Sequence, residues 1–299
     1  MPSSHDYIKD KRNKNIKIFI NNKFYSRDKA KVSVFDSSVI LGDGIWSGIR
    51  FHNNKFLFLK DHLDRLFDDA KKISLKIHLS KKQISKILQD TININKMKTD
   101  VHIRLVVSRG IKSTPYQDPA FTVSKPTIIV IPEYKQPQES IYKKGLVLKT
   151  VKTIRGPHNV QDPRINSLSK LNCILACIEA KKQKADEALM FDINGNIATN
   201  NSTHFFYIFN NKVITSKGKY CVNGITRKNV IKICKINKIK VFEKDFTLKD
   251  VLKADEAFVT GTFANIIPVR KINSKQFKIK KTNLTFIIRN HYLNFINKI

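Results

Sequence analysis

Residues 164–180 read RINSLSKLNCILACIEA, a stretch dominated by small and apolar side chains that contains one lysine, Lys170. Its periodicity predicts an amphipathic helix over residues 167–184. A lysine at the front of such a helix has three open readings. It can snorkel its ammonium to water, bind a carboxylate, or serve as a nucleophilic amine.

The surroundings bound the choice. At 299 residues the chain is long enough for two domains, each with its own core. The net charge is +32, but only 11 of the 56 basic residues are arginines and the lysines are scattered. No helix-turn-helix, zinc-finger or aromatic-basic pattern accompanies them, so specific nucleic-acid binding is not expected. A general electropositive surface that attracts anions is. No apolar run is long enough to span a membrane, and the charged start MPSSHDYIKDKRNKNIKIFI does not read as a secretory leader. Four irregularly spaced cysteines (Cys173, Cys177, Cys221, Cys234) give neither a disulfide framework nor a metal-ligand spacing, which suits a reducing cytoplasm. No metal site is expected.

Outward from the lysine stretch, helical and strand patterns alternate in both halves. IKIFINNKFY and VSVFDSSVIL read as early strands, and IWSGIRFHNNKFLFL as a hairpin turning at Asn53-Asn54. A helix follows with Leu63, Leu66, Phe67 and Ala70 on one face, then a second capped by Ser80. VHIRLVVSR and TIIVIPE complete an N-terminal α/β domain over residues 1–133. The polar YKQPQES marks a linker at 134–140, and residues 141–299 form a second α/β domain. The fold class expected is two-domain α/β, of the α+β type.

Arginine is scarce, so its positions carry information: Arg50, Arg65, Arg104, Arg109 and Arg227 lie in segments that look like loops or strand ends. Its planar fork suits phosphate or carboxylate, although a surface salt bridge is the ordinary fate of any one of them. VNGITRKNV places Gly224 before a helix whose first turn is Ile225-Thr226, and open amides with an adjacent hydroxyl make an anion site. VTGTFANIIPV ends a strand at a second turn, Gly261-Thr262, with the same potential. Together they suggest a phosphorylated cofactor.

VFDSSVILGDGIWSGIRFHNNKFLFLKDHLDRL, ADEALMFDINGNI, NGITRKNV and ADEAFVTGTFANIIPV stand in an order and spacing that resembles the class IV aminotransferases, over roughly residues 32–270. These are fold type IV pyridoxal-phosphate enzymes: branched-chain and D-amino-acid aminotransferases and aminodeoxychorismate lyases. The resemblance implies two domains with pyridoxal 5'-phosphate bound between them, and a homodimer. It implies that Arg65 holds the cofactor phosphate with Gly224, Ile225, Thr226 and Thr262. It places Trp46, Arg104 and Phe263 in the substrate pocket. The implied reaction moves an amino group between an amino acid and a 2-oxo acid, with branched-chain substrates favoured.

Two positions depart from the family pattern. Matching ILACIEA and ADEAL without gaps puts Asn166 where the family has the lysine that bonds the cofactor aldehyde, and Lys170 four residues on. Four residues are one helical turn, about 6 Å of rise, a distance that a lysine side chain spans. Lys170 is therefore expected to supply the amine and the proton shuttle, with Asn166 in the pocket. Partial desolvation would lower its pKa and favour attack. The family glutamate facing the pyridine nitrogen is replaced by Thr199. A hydroxyl can only hydrogen-bond there, which weakens the electron sink and would slow amino transfer or suit elimination. A lyase, or a relative that binds the cofactor without turnover, therefore stays open beside the aminotransferase.

Overall fold

The computed structural model describes residues 4, 5 and 7–298. The chain divides into two compact units, and the division is not a simple cut: Ile8–Gln136 and Ile165–Lys170 form the N-terminal unit, and Met1–Tyr7, Pro137–Arg164 and Leu171–Ile299 the C-terminal one. The segment holding Asn166 and Lys170 thus belongs with the first unit, whereas the sequence places Lys170 in the second.

The N-terminal unit is built on a six-stranded antiparallel sheet in the order β2-β1-β6-β5-β3-β4. Its elements are β1 (Lys17–Ile20), β2 (Lys23–Ser26), the one-turn helix α1 (Ser37–Ile40), β3 (Gly44–His52), β4 (Lys55–Phe56), α2 (Leu59–Lys72), α3 (Lys81–Ile94), β5 (Val101–Ser108) and β6 (Ile128–Tyr134). The β3–β4 hairpin turns at Asn53 and Asn54 with φ of 49° and 60°, the left-handed conformation that asparagine tolerates. IKIFINNKFY is itself a hairpin, β1–β2, rather than one strand. VSVFDSSVIL is not a strand: Asp36 caps α1 by accepting from the Ser38 amide, and its other oxygen accepts from the Thr127 hydroxyl. Side-chain bonds there compete with strand pairing and win.

Strand alternation puts Ile45, Ile49 and Phe51 of β3 with Ile103, Leu105 and Val107 of β5 on the face that receives α2 and α3, whose Leu63, Leu66, Ala70, Ile84 and Leu88 complete the core. Ser80 caps α3 through a reciprocal capping box with Gln83. The opposite face of the sheet carries Trp46, Gly48 and Arg104, Gly48 lying directly across from Arg104.

The C-terminal unit holds a mixed sheet with the path β12-β11-β10-β13-β14-β7-β8-β9 and β15 paired to β14. In chain order it comprises α4 (Ser140–Lys144), β7 (Leu146–Thr150), α5 (His158–Gln161), α6 (Leu171–Lys182), β8 (Glu187–Phe191), β9 (Ile197–Asn200), β10 (His204–Phe209), β11 (Lys212–Thr215), α7 (Ile225–Ile236), β12 (Val241–Glu243), α8 (Leu248–Leu252), β13 (Glu256–Gly261), β14 (Asn265–Ile272), β15 (Lys275–Gln276) and α9 (Leu284–Asn297). Helix α6 is shorter than the 167–184 expected and begins after Lys170. Its polarity is also inverted. The small face, Ala176 and Ala180, packs on Ala185, Ala188 and Met190, while Leu171, Ile174, Leu175 and Ile178 stand 46–64% exposed. Alanines let the helix lie close to the sheet, and the bulky residues are left outside.

Glu187, at the start of β8, is 1% exposed. Its carboxylate accepts from the hydroxyls of Ser4, Ser202 (2.9 Å) and Thr203 (2.6 Å) and from the Asn200 amide (3.2 Å), which fixes the turn between β9 and β10. Burial pushes its pKa from the ordinary 4.5 up to about 7, against the pull of these donors. The folded protein therefore holds this proton more tightly than the unfolded chain. The contribution to stability is complete below about pH 4.5 and is lost as pH rises towards 7.

Two outcomes follow. Ile49→Ala empties a fully buried site and should cost about 2–5 kcal/mol in denaturant unfolding of the N-terminal unit. Glu187→Gln should flatten the decline in stability between pH 5 and 7 by about 2 kcal/mol, read as melting temperature against pH.

Candidate active site

In the N-terminal unit the site is assembled around the start of β3. Asn166–Leu168 runs beside Gly44–Trp46: the Trp46 amide donates to Asn166 O (3.0 Å), the Leu168 amide donates to Gly44 O (2.9 Å), and Ile45 bridges Ser167. A Cβ on Gly44 would sit 2.6 Å from Val107 O and 2.7 Å from Leu168 Cδ1, so only glycine admits this approach. The Asn166 amide donates to Asp69 Oδ2 (3.1 Å) and its side-chain nitrogen to Trp46 O (2.8 Å). These backbone groups are bound to β3 and α2, so they cannot close a helical turn. That is why the expected helix starts at Leu171.

The one-turn geometry between Asn166 and Lys170 is therefore absent, yet the two side chains meet. Lys170 Nζ donates to Asn166 Oδ1 at 3.0 Å. The same ammonium lies 5.7 Å from the Trp46 ring centroid, and the Arg104 guanidinium stacks on that ring at 3.9 Å. The Trp46 indole N–H is buried with no hydrogen-bond partner among the described residues. Trp46, Arg104, Asn166 and Lys170 thus form one cluster.

Arg65 sits on α2, half-buried, and donates to Ser47 Oγ (3.3 Å), which also bonds His62 Nδ1 (3.0 Å). Burial, and secondarily the Arg65 charge, push the His62 pKa down to about 3, so the imidazole is neutral. The other arginines singled out divide differently. Arg109 forks onto Asp43 (2.6 and 3.1 Å) and caps the carbonyls of Ile73 and Ser74. Arg50 pairs with Asp100, and Arg227 with Glu243 and Ser216 O. These three are structural pins.

In the C-terminal unit, Gly224 is the N-cap of α7 and provides no capping side chain. The first-turn amides of Ile225 and Thr226 therefore meet no side-chain cap at the positive end of the helix dipole. A Cβ on Gly224 would fall 2.3 Å from the His204 ring, whose Nε2 bonds Val222 O at 2.7 Å, so glycine is again required. Tyr292 of α9 hydrogen-bonds the Thr226 hydroxyl. Thr262 lies in the β13–β14 turn, and Phe263 beside it is buried, its ring stacked on His5. The hydroxyl of Thr260, two residues earlier, is buried and has no hydrogen-bond partner among the described residues. Donors without acceptors at two features of one unit are the chemistry a phosphate satisfies, and the residues present fit that group.

Thr199 is buried on β9 and donates its hydroxyl proton to Thr203 O at 2.9 Å. Towards a ligand its oxygen is thus an acceptor. Sequence reasoning missed Asp69, His204 and Tyr292, which hold the site residues from other elements, because no local spacing betrays such contacts. Among the described residues no group of three or more His, Cys, Asp or Glu could hold a metal, and no helix is long and apolar enough to cross a membrane.

Comparison with known proteins identifies the family. The one described as amino-transferase class IV matches residues 44–272. A Methanocaldococcus jannaschii protein named "Putative branched-chain-amino-acid aminotransferase" is 38% identical over 268 residues, 87% of this chain and 91% of its own. A D-alanine aminotransferase of Listeria monocytogenes is 30% identical over 267 residues, 87% of this chain and 89% of its own. Among solved structures, a T.th. branched-chain amino acid aminotransferase complexed with N-(5'-phosphopyridoxyl)-L-glutamate superposes with a TM-score of 0.87 at 25% identity, covering 95% of each chain. The chain therefore belongs to the class IV aminotransferases, enzymes of amino transfer, and has their mixed α/β fold.

Proposed function

We propose that this aminotransferase uses pyridoxal 5'-phosphate, takes branched-chain amino acids and 2-oxo acids as substrates, and employs Lys170 as the amine of the reaction. The observation that carries this reading is the 3.0 Å contact between Lys170 Nζ and Asn166 Oδ1. It puts an amine at the tip of the side chain whose position the family gives to its lysine. Lys170 reaches that point from a loop four residues downstream.

The chain's own groups then divide the work. The α7 amides, Thr226 and Thr262 bind phosphate, and Arg65 keeps the phosphate-holding role that the resemblance gives it. Trp46 and Arg104 orient the substrate, the guanidinium facing its carboxylate and the indole its apolar portion. Lys170 Nζ takes the Cα proton and returns it, while Asn166 Oδ1 holds the amine in line. When bound, the cofactor supplies an electron sink for the charge left by that proton. The T.th. relative, solved with a phosphopyridoxyl amino acid, supports this cofactor class. The branched-chain relatives support the substrate class, while the D-alanine relatives leave the hand of the amino acid to experiment. Four free thiols suit a cytoplasmic setting.

Thr199 favours a second reading, an elimination such as a lyase performs. Its proton is bound to Thr203 O, and no carboxylate stands at this position to strengthen the electron sink. Products separate the two: amino transfer yields an oxo acid and an aminated acceptor, and elimination releases ammonia or an unaminated fragment.

The exposed apolar stripe of α6 supports a homodimer, because four bulky apolar residues on one helix ask for a partner surface. Ile174→Asp should shift the protein from dimer to monomer in sedimentation at micromolar concentration. For Lys170, incubation with pyridoxal phosphate followed by borohydride should fix the pyridoxyl group there. Lys170→Ala should lose that label and reduce amino transfer by about 10²–10⁴-fold. A label mapping to another lysine, with Lys170 unmodified, would overturn the assignment, and no label at all would favour a relative without turnover.

A further inference from the structure

Arg155 has no part in the proposed amino transfer, and its surroundings are unusual for an arginine. Its side chain is 8% exposed, and among the described residues no carboxylate pairs with it. Its bonds go to neutral groups: Nε to Tyr220 O (3.1 Å), Nη1 to Asn172 Oδ1 (3.0 Å) and Cys173 Sγ (3.1 Å), Nη2 to Pro163 O (3.3 Å). A buried guanidinium is costly unless its donors are met, and here they are met by groups that leave its charge in place.

The partners have a pattern. The chain leaves the C-terminal unit after Arg164 and re-enters it at Leu171, and the excursion between holds Asn166 and Lys170. Pro163 stands at the exit, and Asn172 and Cys173 at the re-entry. Asn172 is tied down a second time, donating to Ile154 O at 2.8 Å. Tyr220 lies on the loop that runs through Val222, the acceptor for His204, to the Gly224 cap of α7. One side chain therefore grips both feet of the lysine loop and the approach to the phosphate-binding turn. Its field is felt on that approach: burial pushes the Cys221 thiol up, and the charges of Arg227 and Arg155 pull against it.

We propose that Arg155 is a positioning residue for cofactor capture, fixing the feet of the Lys170 loop relative to the loop that opens α7. The claim rests on Lys170 as the capturing amine. A lysine at this place would offer one point of attachment where the planar fork offers several.

The test measures pyridoxyl label after borohydride, resolved by peptide into Lys170 and the remaining lysines, for wild type, Arg155→Lys, Arg155→Ala and Asn172→Ala. Circular dichroism and melting curves establish that each variant is folded. In Arg155→Lys the Lys170 label should fall about tenfold, the loss of one or two good hydrogen bonds, while label on surface lysines stays constant. Asn172→Ala, which frees one foot and leaves Arg155 in place, should fall about threefold and serves if the arginine variants do not fold. Ethylguanidinium should restore the Lys170 label in Arg155→Ala, a rescue that a general packing defect would not show. Unchanged Lys170 label in folded variants would overturn the inference while leaving Lys170 in its role. Absence of Lys170 label in wild type would overturn both.

Discussion

The candidate site in the N-terminal unit depends on a short backbone pairing, Asn166–Leu168 against Gly44–Trp46. Residues 165–170 are grouped with the N-terminal unit although the chain on either side of them is not, and a glycine in β3 makes their approach sterically possible. The pairing orients the Asn166 side chain towards Trp46 O and leaves its oxygen to receive Lys170. Were these residues helical, as their composition suggests, Lys170 would be one position on a rigid cylinder. As a loop with fixed feet, it places its amine on Asn166 directly.

The electrostatics of the cluster follow from that placement. Two cations, Arg104 and Lys170, share the environment of one indole. Burial already pulls the Arg104 guanidinium down from its ordinary pKa, with the Glu133 charge opposing it. Arginine stays charged all the same, because its starting value lies far above neutrality. A second positive charge at the same indole is a repulsion that the fold tolerates and that a bound anion would relieve. The same anion would meet a fork of donors on Arg104 and a single point charge on Lys170, which separates the residue suited to binding from the one suited to chemistry. The overall charge of +32 adds a weaker, salt-screened pull on anionic ligands.

Much of the fold was legible because the N-terminal helices and hairpin obey local rules: Asn-Asn at a tight turn, serine before a capping glutamine, leucines at helical spacing on α2. The helix start at Gly224 and the strand end at Gly261 were legible for the same reason, since these glycines are punctuation. What failed had a non-local cause. VSVFDSSVIL looked like a strand until Asp36 found Ser38 and Thr127, and the stretch from Ser167 looked helical until β3 claimed the backbone of Ser167 and Leu168. β9, four buried residues between turns, is too short to show a period. Arg50, Arg109 and Arg227 looked like ligand binders because arginine is rare here, but each finds a carboxylate from a distant element.

Thr199 shows how a substitution read from sequence changes meaning in three dimensions. As a bare hydroxyl it could donate to a neutral ring nitrogen or accept from a protonated one. On β9 its proton goes to Thr203 O, and Thr203 is held by its own hydroxyl on Glu187. To rotate the proton towards a ligand, the Thr199 hydroxyl would have to abandon a buried carbonyl, at a cost of about 1–3 kcal/mol. This oxygen therefore meets a ligand as an acceptor and brings no charge of its own. Glu187 lies one step further on, bonded to the Thr203 hydroxyl, where it fixes the turn that orients this dipole and contributes no charge at Thr199 itself.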